Sequence, residues 1–440
     1  MNDEVAESTQ RYLDAWEKLK AHDDRLGELR RGALARFAER GFPGTRVEEW
    51  KYTNLRPLER RKFELAQELP ANLPEAASLP LADAGLPTVA FVNGQFAAGL
   101  SRRLDGLPDG IQVRSIAALL DEQPEALQPH LEAAATANDN VASTLAELNT
   151  AFFIDGAVID IAADTCLDQP LHVLFISQQA DASVVSHPRV IVNAGRGSEV
   201  SIVEHHIGID DAVNFSNSVA QIVLHDNAAL RHYRVQQENA RSFHISNARV
   251  WQSRDSRYLS LNIDLGGMLV RHDLHAYLAG TNAEAILDGL FVLGGRQHCD
   301  NHTYVNHIGP HTRSREHYKG ILGDHSRGVF NGKVYVEPGA QKTDSNQTSH
   351  NLLLSDNAEI DTKPELEIYA DDVKCNHGAT VGQLDETALF YLRSRGLGAD
   401  EARRLLITAF AREMLDSIEA APVKKYLENA LAVALGGYQG

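Results

Sequence analysis

The apolar positions of this chain keep three rhythms in turn. Over residues 1 to about 65 they recur as on a helix: Tyr12, Trp16 and Leu19 stand at i, i+4 and i+7, and Leu26, Leu29, Leu34 and Phe37 prolong the stripe. Gly41-Phe-Pro-Gly44 breaks it, and the aromatic-rich Glu48-Glu-Trp-Lys-Tyr-Thr-Asn-Leu55 is expected to pack down. Residues 66–87, rich in Ala, Pro and Leu, read as a linker or loose excursion. Asn93-Gly94 inside Val89-Ala-Phe-Val-Asn-Gly-Gln-Phe96 suits a type I′ turn, which predicts a hairpin near 88–97. Residues 115–150 return to helical spacing, so 1–150 reads as a mostly helical N-terminal domain.

From about 151 to 384 the rhythm changes to short β-branched runs, among them Val190-Ile-Val-Asn193, Val200-Ser-Ile-Val203 and Lys333-Val-Tyr-Val336. Turn residues fall between them at Gly208, Asp226, Asn239, Asp255, Gly267, Gly280, Gly294, Gly309, Gly323 and Gly339, in steps of about 12 to 18 residues. Strand-turn units repeated this evenly, with no helix between them, predict a mainly β core. A two-sided parallel β-helix fits best, with a jelly roll or double sandwich as the competitor. Residues 385–440 are helical again. Asp385 is placed to cap a helix and Gly396 to end it; Leu406, Phe410, Met414 and Ile418 form a stripe on a helix over 399–418, and Pro422 opens a last helix.

Composition narrows the function classes. A formal charge of −18 repels phosphate backbones, so nucleic acid is excluded as a general partner. No run approaches the roughly 18 apolar residues of a membrane span, and the acidic start Met1-Asn-Asp-Glu predicts no signal peptide. A cytoplasmic protein is expected, with Cys166, Cys299 and Cys375 as reduced thiols. Two nucleotide motifs fail. Gly195-Arg-Gly197 runs into another strand, and Gly328-Val-Phe-Asn-Gly-Lys333 has three residues between its glycines and Val334 where Ser or Thr is needed.

The sharpest chemistry lies in Lys374-Cys-Asn-His-Gly-Ala-Thr380. On a strand, Cys375 and His377 face the same side, and sulfur beside nitrogen suits iron, zinc or copper(I). A half-buried thiol and a hydrogen-bonded imidazole closing the last β layer is the other reading, and spacing alone favours it. Six histidines crowd 298–325: His298, His302, His307, His311, His317 and His325. On a strand His298 and His302 lie too far apart to chelate one ion, so polar ladders inside the β-helix are the expected use. Iron–sulfur clusters commonly take four thiolates. Three scattered cysteines cannot supply them, so any cluster site must draw ligands from another chain.

Val334-Tyr-Val-Glu-Pro-Gly-Ala-Gln-Lys-Thr-Asp344, Asn351-Leu-Leu-Leu-Ser-Asp356, the Cys375 segment and Phe390-Tyr-Leu-Arg-Ser-Arg-Gly396 resemble the SufB/SufD family, scaffolds of SUF iron–sulfur cluster assembly. Trp50-Lys-Tyr-Thr53 and Leu148-Asn-Thr-Ala-Phe152 resemble its SufD branch. Ala358, where the SufB branch is expected to carry Cys, points the same way. The resemblance implies a right-handed parallel β-helix flanked by helical N- and C-terminal domains. It implies a non-catalytic subunit that pairs with SufB through the β-helix and recruits the SufC ATPase through residues 386–436. His377, with Cys375 as its neighbour, would support iron or a transient iron–sulfur cluster at the SufB interface; the isolated chain would carry no cofactor. Tyr391, Arg393, Arg395, Arg403, Arg404 and Phe410 are the candidate SufC contacts, and a homodimer stays open. The competing class is a metal-dependent or carbohydrate-cleaving β-helix enzyme, which would call for a signal peptide and a cleft of convergent acids.

Overall fold

The computed structural model describes residues 3–19, 26–125, 127, 131, 144–179 and 182–436. Its middle is a parallel β-helix whose strands alternate between two sheets. The first sheet climbs from Gly156–Ile161 through Phe215–Leu224 to Glu359–Ile368, and the second from Leu171–Ser177 through Ala229–Gln237 to Lys374–Gly382. Pairing is in register from coil to coil: Phe215 beside Phe243, Phe243 beside Leu269, Leu269 beside His298. The repeat is set by the turns. Asp164, Gly197, Asn227, Asp255, Asn282, His311 and Lys342, one in each turn from first sheet to second except the last, hold φ between 56° and 68°. Asn, Asp and Gly tolerate that left-handed conformation best, which is why they punctuate this region.

Alternation then sorts the side chains. Inward positions stack into an apolar core, as with Ile222, Val250, Ala276, Val305 and Val334. The outward face of the second sheet is apolar instead of polar because helices cover it. Ile407, Ala411, Met414, Ile418, Val423 and Leu427 pack on strand residues such as Val203, Leu261 and Leu290. Burying each large side chain contributes about 1.5–3 kcal/mol. The helix predicted over 399–418 stops at Arg412, followed by a 3-10 turn at Glu413–Leu415, and its buried edge runs through Ile407 and Ala411 beside the expected stripe.

On the first sheet's outer face lie helices Asp3–Trp16, Gly27–Arg40 and Thr144–Phe152, through Trp16, Phe37, Leu148 and Phe152. Asn149 fastens the last of these: its amide donates to the carbonyls of Pro188 (3.0 Å) and Asn217 (2.7 Å), and Arg189 reaches back to Thr150. The Trp50 segment is fastened by Arg271. Its guanidinium stacks on Trp50 at 3.8 Å, donates to the Glu49 carbonyl at 2.7 Å and pairs with Asp273 and Asp300 at 2.7 Å each. Thr53 closes the contact through His298 at 2.8 Å and through Asp300.

Three expectations change. The hairpin exists, with φ of 49° at Asn93 and 81° at Gly94, but it belongs to the solenoid: Thr88–Val92 pairs with Leu171–Ser177. The excursion over 66–87 is pinned down, with Leu79, Leu81 and Leu86 buried. The helix predicted over 115–150 includes Ile116–Glu122 and Thr144–Phe152, and residues 126, 128–130 and 132–143 between them lie outside the described residues. No helix among the described residues is long and apolar enough to cross a membrane.

Candidate functional site

In the last coil, inward-facing positions have, among the described residues, no further coil stacked on them. Cys375 and His377 pair in register with Ser345 and Gln347, which point into the lumen and are buried. The two candidates therefore share the lumen side, as their spacing predicts. With no further coil stacked on them, Cys375 is half-buried against the core and His377 is exposed. Opposite stand Thr362, Pro364 and Leu366, half-buried, with Ile368 and Val381 at the rim 39% and 51% exposed. Among the described residues, no strand pairs with the outer edge of Glu359–Ile368 or Lys374–Gly382.

Burial pushes the Cys375 thiol above its ordinary pKa, and Asp344 adds to the effect. It rests as a neutral thiol and needs a metal or a cationic neighbour to ionise. Among the described residues no three His, Cys, Asp or Glu side chains are grouped to hold a metal ion. The end of the solenoid offers one sulfur and one nitrogen, half of what a four-coordinate site requires.

The candidate contacts of the C-terminal helices separate into two groups. Asp385 caps helix Glu386–Ser394 by accepting the Thr387 N–H at 2.8 Å, and Gly396 ends it at φ 97°. On that helix Tyr391 is exposed with the Arg395 guanidinium 5.1 Å over its ring, and Arg393 is exposed beside it. Arg403 and Arg404 are exposed on the next helix, Ala399–Arg412. Phe410 faces the other way. Lys319 lies 4.4 Å over its ring, donates to its carbonyl at 3.1 Å and pairs with Glu413 at 2.6 Å, so Phe410 helps seat the helix on the solenoid. Phe390, 73% exposed, and Leu405, 48% exposed, complete the apolar surface that the sequence set missed. Phe390 directly before Tyr391 was the available signal, since one turn of helix cannot bury both sides.

The lumen also holds chemistry that the sequence reading did not pick out. Glu204 bridges His206 at 2.8 Å and His232 at 3.1 Å, and Glu238 accepts from His244 at 2.7 Å. Arg234 pairs with Asp264 at 2.8 Å, beside Asn262, Asn301 and the thiol of Cys299. Burial raises the Cys299 thiol well above its ordinary pKa. Burial likewise holds His244 down at about 4, against the pull of Glu238. Of the crowded 298–325 histidines only His307 turns inward, to Thr312 at 2.8 Å and Ser314 at 2.9 Å. His298 and His302 sit on the outer face around Asp300. Their strand, His298–His307, gives its other inward places to Cys299, Asn301, Thr303 and Val305, so these histidines form no ladder there.

Comparison with known proteins agrees with this architecture. Residues 6–173 match the family described as SufBD protein N-terminal region, and residues 175–410 match SUF system FeS cluster assembly, SufBD core domain. The chain is 35% identical over 418 residues to an iron-sulfur cluster assembly SufBD family protein of Synechocystis, covering 93% of this chain and 91% of that one. It is 31% identical over 409 residues to the iron-sulfur cluster assembly protein SufD of Escherichia coli, covering 92% of each. The SufD of Bacillus subtilis is 28% identical over 295 residues, covering 65% of this chain and 66% of that one.

Proposed function

The chain belongs to the SufBD family of SUF iron–sulfur cluster assembly proteins, and we propose that it is the SufD-type scaffold, a non-catalytic cytoplasmic subunit. It pairs with SufB through the open end of the β-helix and recruits the SufC ATPase through its C-terminal helices. One observation carries this reading: Cys375 and His377 face the open mouth of the lumen, where among the described residues no further coil stacks, on a strand with a free edge. A partner strand added there satisfies the unpaired backbone groups, covers Ile368 and Val381, and brings further donors to the same point. Iron or a nascent cluster is then cargo at a shared interface. His377 is its main ligand here, and Cys375, with its raised pKa, is secondary.

Recruitment of SufC rests on the exposed surface of Phe390, Tyr391, Arg393, Arg395, Arg403 and Arg404; the basic groups are available to acidic residues of the ATPase. Phe410 supports that surface from behind.

The test is assembly in cells by a His377→Ala chain co-expressed with SufB and SufC. The complex is expected to form at wild-type yield with iron and sulfide content sharply reduced; normal cluster content in a well-folded complex refutes the assignment. Reversing Arg403 and Arg404 to Glu is expected to weaken SufC binding in a salt-dependent way with little change in Tm.

A further inference from the structure

Behind His377 the lumen holds a short file of polar groups. On the second sheet, Glu316, Gln347 and His377 occupy one register position in three successive coils. On the facing sheet the matching series is Thr303, Gly332 and Pro364. Thr303 donates to one Glu316 oxygen, and the Gln347 amide nitrogen donates to the other at 3.0 Å. Once ionised, Glu316 can only accept, so the Gln347 amide then turns its NH₂ inward and leaves its oxygen free. That oxygen is buried and has no hydrogen-bond partner. The facing wall is cut away to fit the amide: a Cβ at Gly332 would lie 2.0 Å from the Gln347 nitrogen and 2.7 Å from its carbonyl carbon.

We propose that Gln347, oriented by Glu316 and seated in the gap at Gly332, is a positioning residue for His377, its free carboxamide oxygen receiving one imidazole N–H. Strands stack about 4.8 Å apart, so the amide lies one rung beneath the imidazole. A ring held by one nitrogen presents the other outward as a neutral lone pair, which is what a soft divalent metal takes. The same bond fixes its tautomer. Burial without a cationic partner pushes the Glu316 carboxyl up to about 7, and Thr303 and Gln347 pull it down. This inference rests on the assignment of His377 as a ligand.

Cobalt(II) titration of the co-purified complex separates the two claims, with the cobalt d–d absorbance as readout. Gln347→Met keeps the side chain's length and removes the acceptor. It is expected to weaken cobalt binding about 10–100-fold, the usual effect of losing an outer partner, with complex yield and Tm near wild type. Gln347→Glu combined with Glu316→Gln keeps one donor in the contact, restores an acceptor and is expected to recover most of the affinity. Gly332→Ala attacks the same amide from the opposite wall and should weaken binding in the same direction, so a folding defect in one variant does not decide the matter. Wild-type cobalt affinity in folded Gln347→Met overturns the positioning role while leaving His377 as ligand intact. Unchanged affinity in His377→Ala overturns the ligand assignment and this inference together.

Discussion

The two ends of the solenoid are built from the same coil and treated oppositely. At the first, Ile111–Ser115 pairs antiparallel with Gly156–Ile161, and the hairpin of Thr88–Val92 and Gln95–Phe96 lies against Leu171–Ser177. Phe91 stacks on Phe175 at 5.2 Å, and every residue of Leu171–Ser177 is buried. At the other end, every residue of Glu359–Ile368 is half-buried or exposed, and so is every residue of Lys374–Gly382. An uncovered sheet edge is a liability that proteins usually blunt. One end is capped and, among the described residues, the other is left open, as the pairing proposed above requires.

Truncation should expose this difference most sharply. Phe91→Ala removes a fully buried ring from the cap and is expected to cost about 3–5 kcal/mol, read from denaturant unfolding. A loss below about 1 kcal/mol would mean the cap is not holding the first coil.

Acid should act next, and on the closed part. Burial holds His187 and His307 down at about 3 and His205 and His244 at about 4. Below about pH 6.5 the unfolded chain takes up protons that the folded chain refuses, so stability falls with pH. Each group costs up to about 2 kcal/mol by pH 5, and circular dichroism should show unfolding setting in between pH 6 and 4.

Near the open end the sign reverses. Glu316 holds its proton up to about pH 7, against roughly 4.3 unfolded, so its contribution is present at low pH and lost as pH rises through 7. Glu316→Gln should remove a loss of stability of at most about 3 kcal/mol between pH 5 and 8, so that the variant gains on the wild type as pH rises. An unchanged slope would place the titration elsewhere. The smallest effect belongs to the rim: Ile368→Ala, at a side chain 39% exposed, should cost less than about 1 kcal/mol in the isolated chain.

Much of this was readable in the sequence, because turns are local. Asp255 and Gly396 mark conformations that a few adjacent residues decide, and Asp385 caps its own helix. Cys375 and His377 share a face by parity alone. What the sequence hid was which face. His302 and His307 differ by an odd number of positions, and only the coil's register says that the second is inside. Phe410 looked free for a partner because nothing nearby in sequence announces Lys319, 91 residues away. The lumen network of Glu204, Glu238 and Arg234 was missed for the same reason. Its members sit at alternate positions, in phase with apolar neighbours, and although Glu204 meets His206 on its own strand, its second partner His232 and the Asp264 partner of Arg234 come from the next coil.

The clamp of Arg271 on the Trp50 segment also sets a schedule. Coils find their partner strand in the turn just made, whereas Glu49 waits for a guanidinium 222 residues downstream. At synthesis rates of roughly 5–20 residues per second, the Trp50 segment leaves the ribosome roughly 10–45 s before its anchor exists. The solenoid is thus laid down in the order of translation, and the N-terminal strap is buckled over it late. Protease cleavage near 48–53 in ribosome-bound chains should therefore persist until Arg271 has emerged, and protection in shorter chains would show that the strap finds its seat by another route.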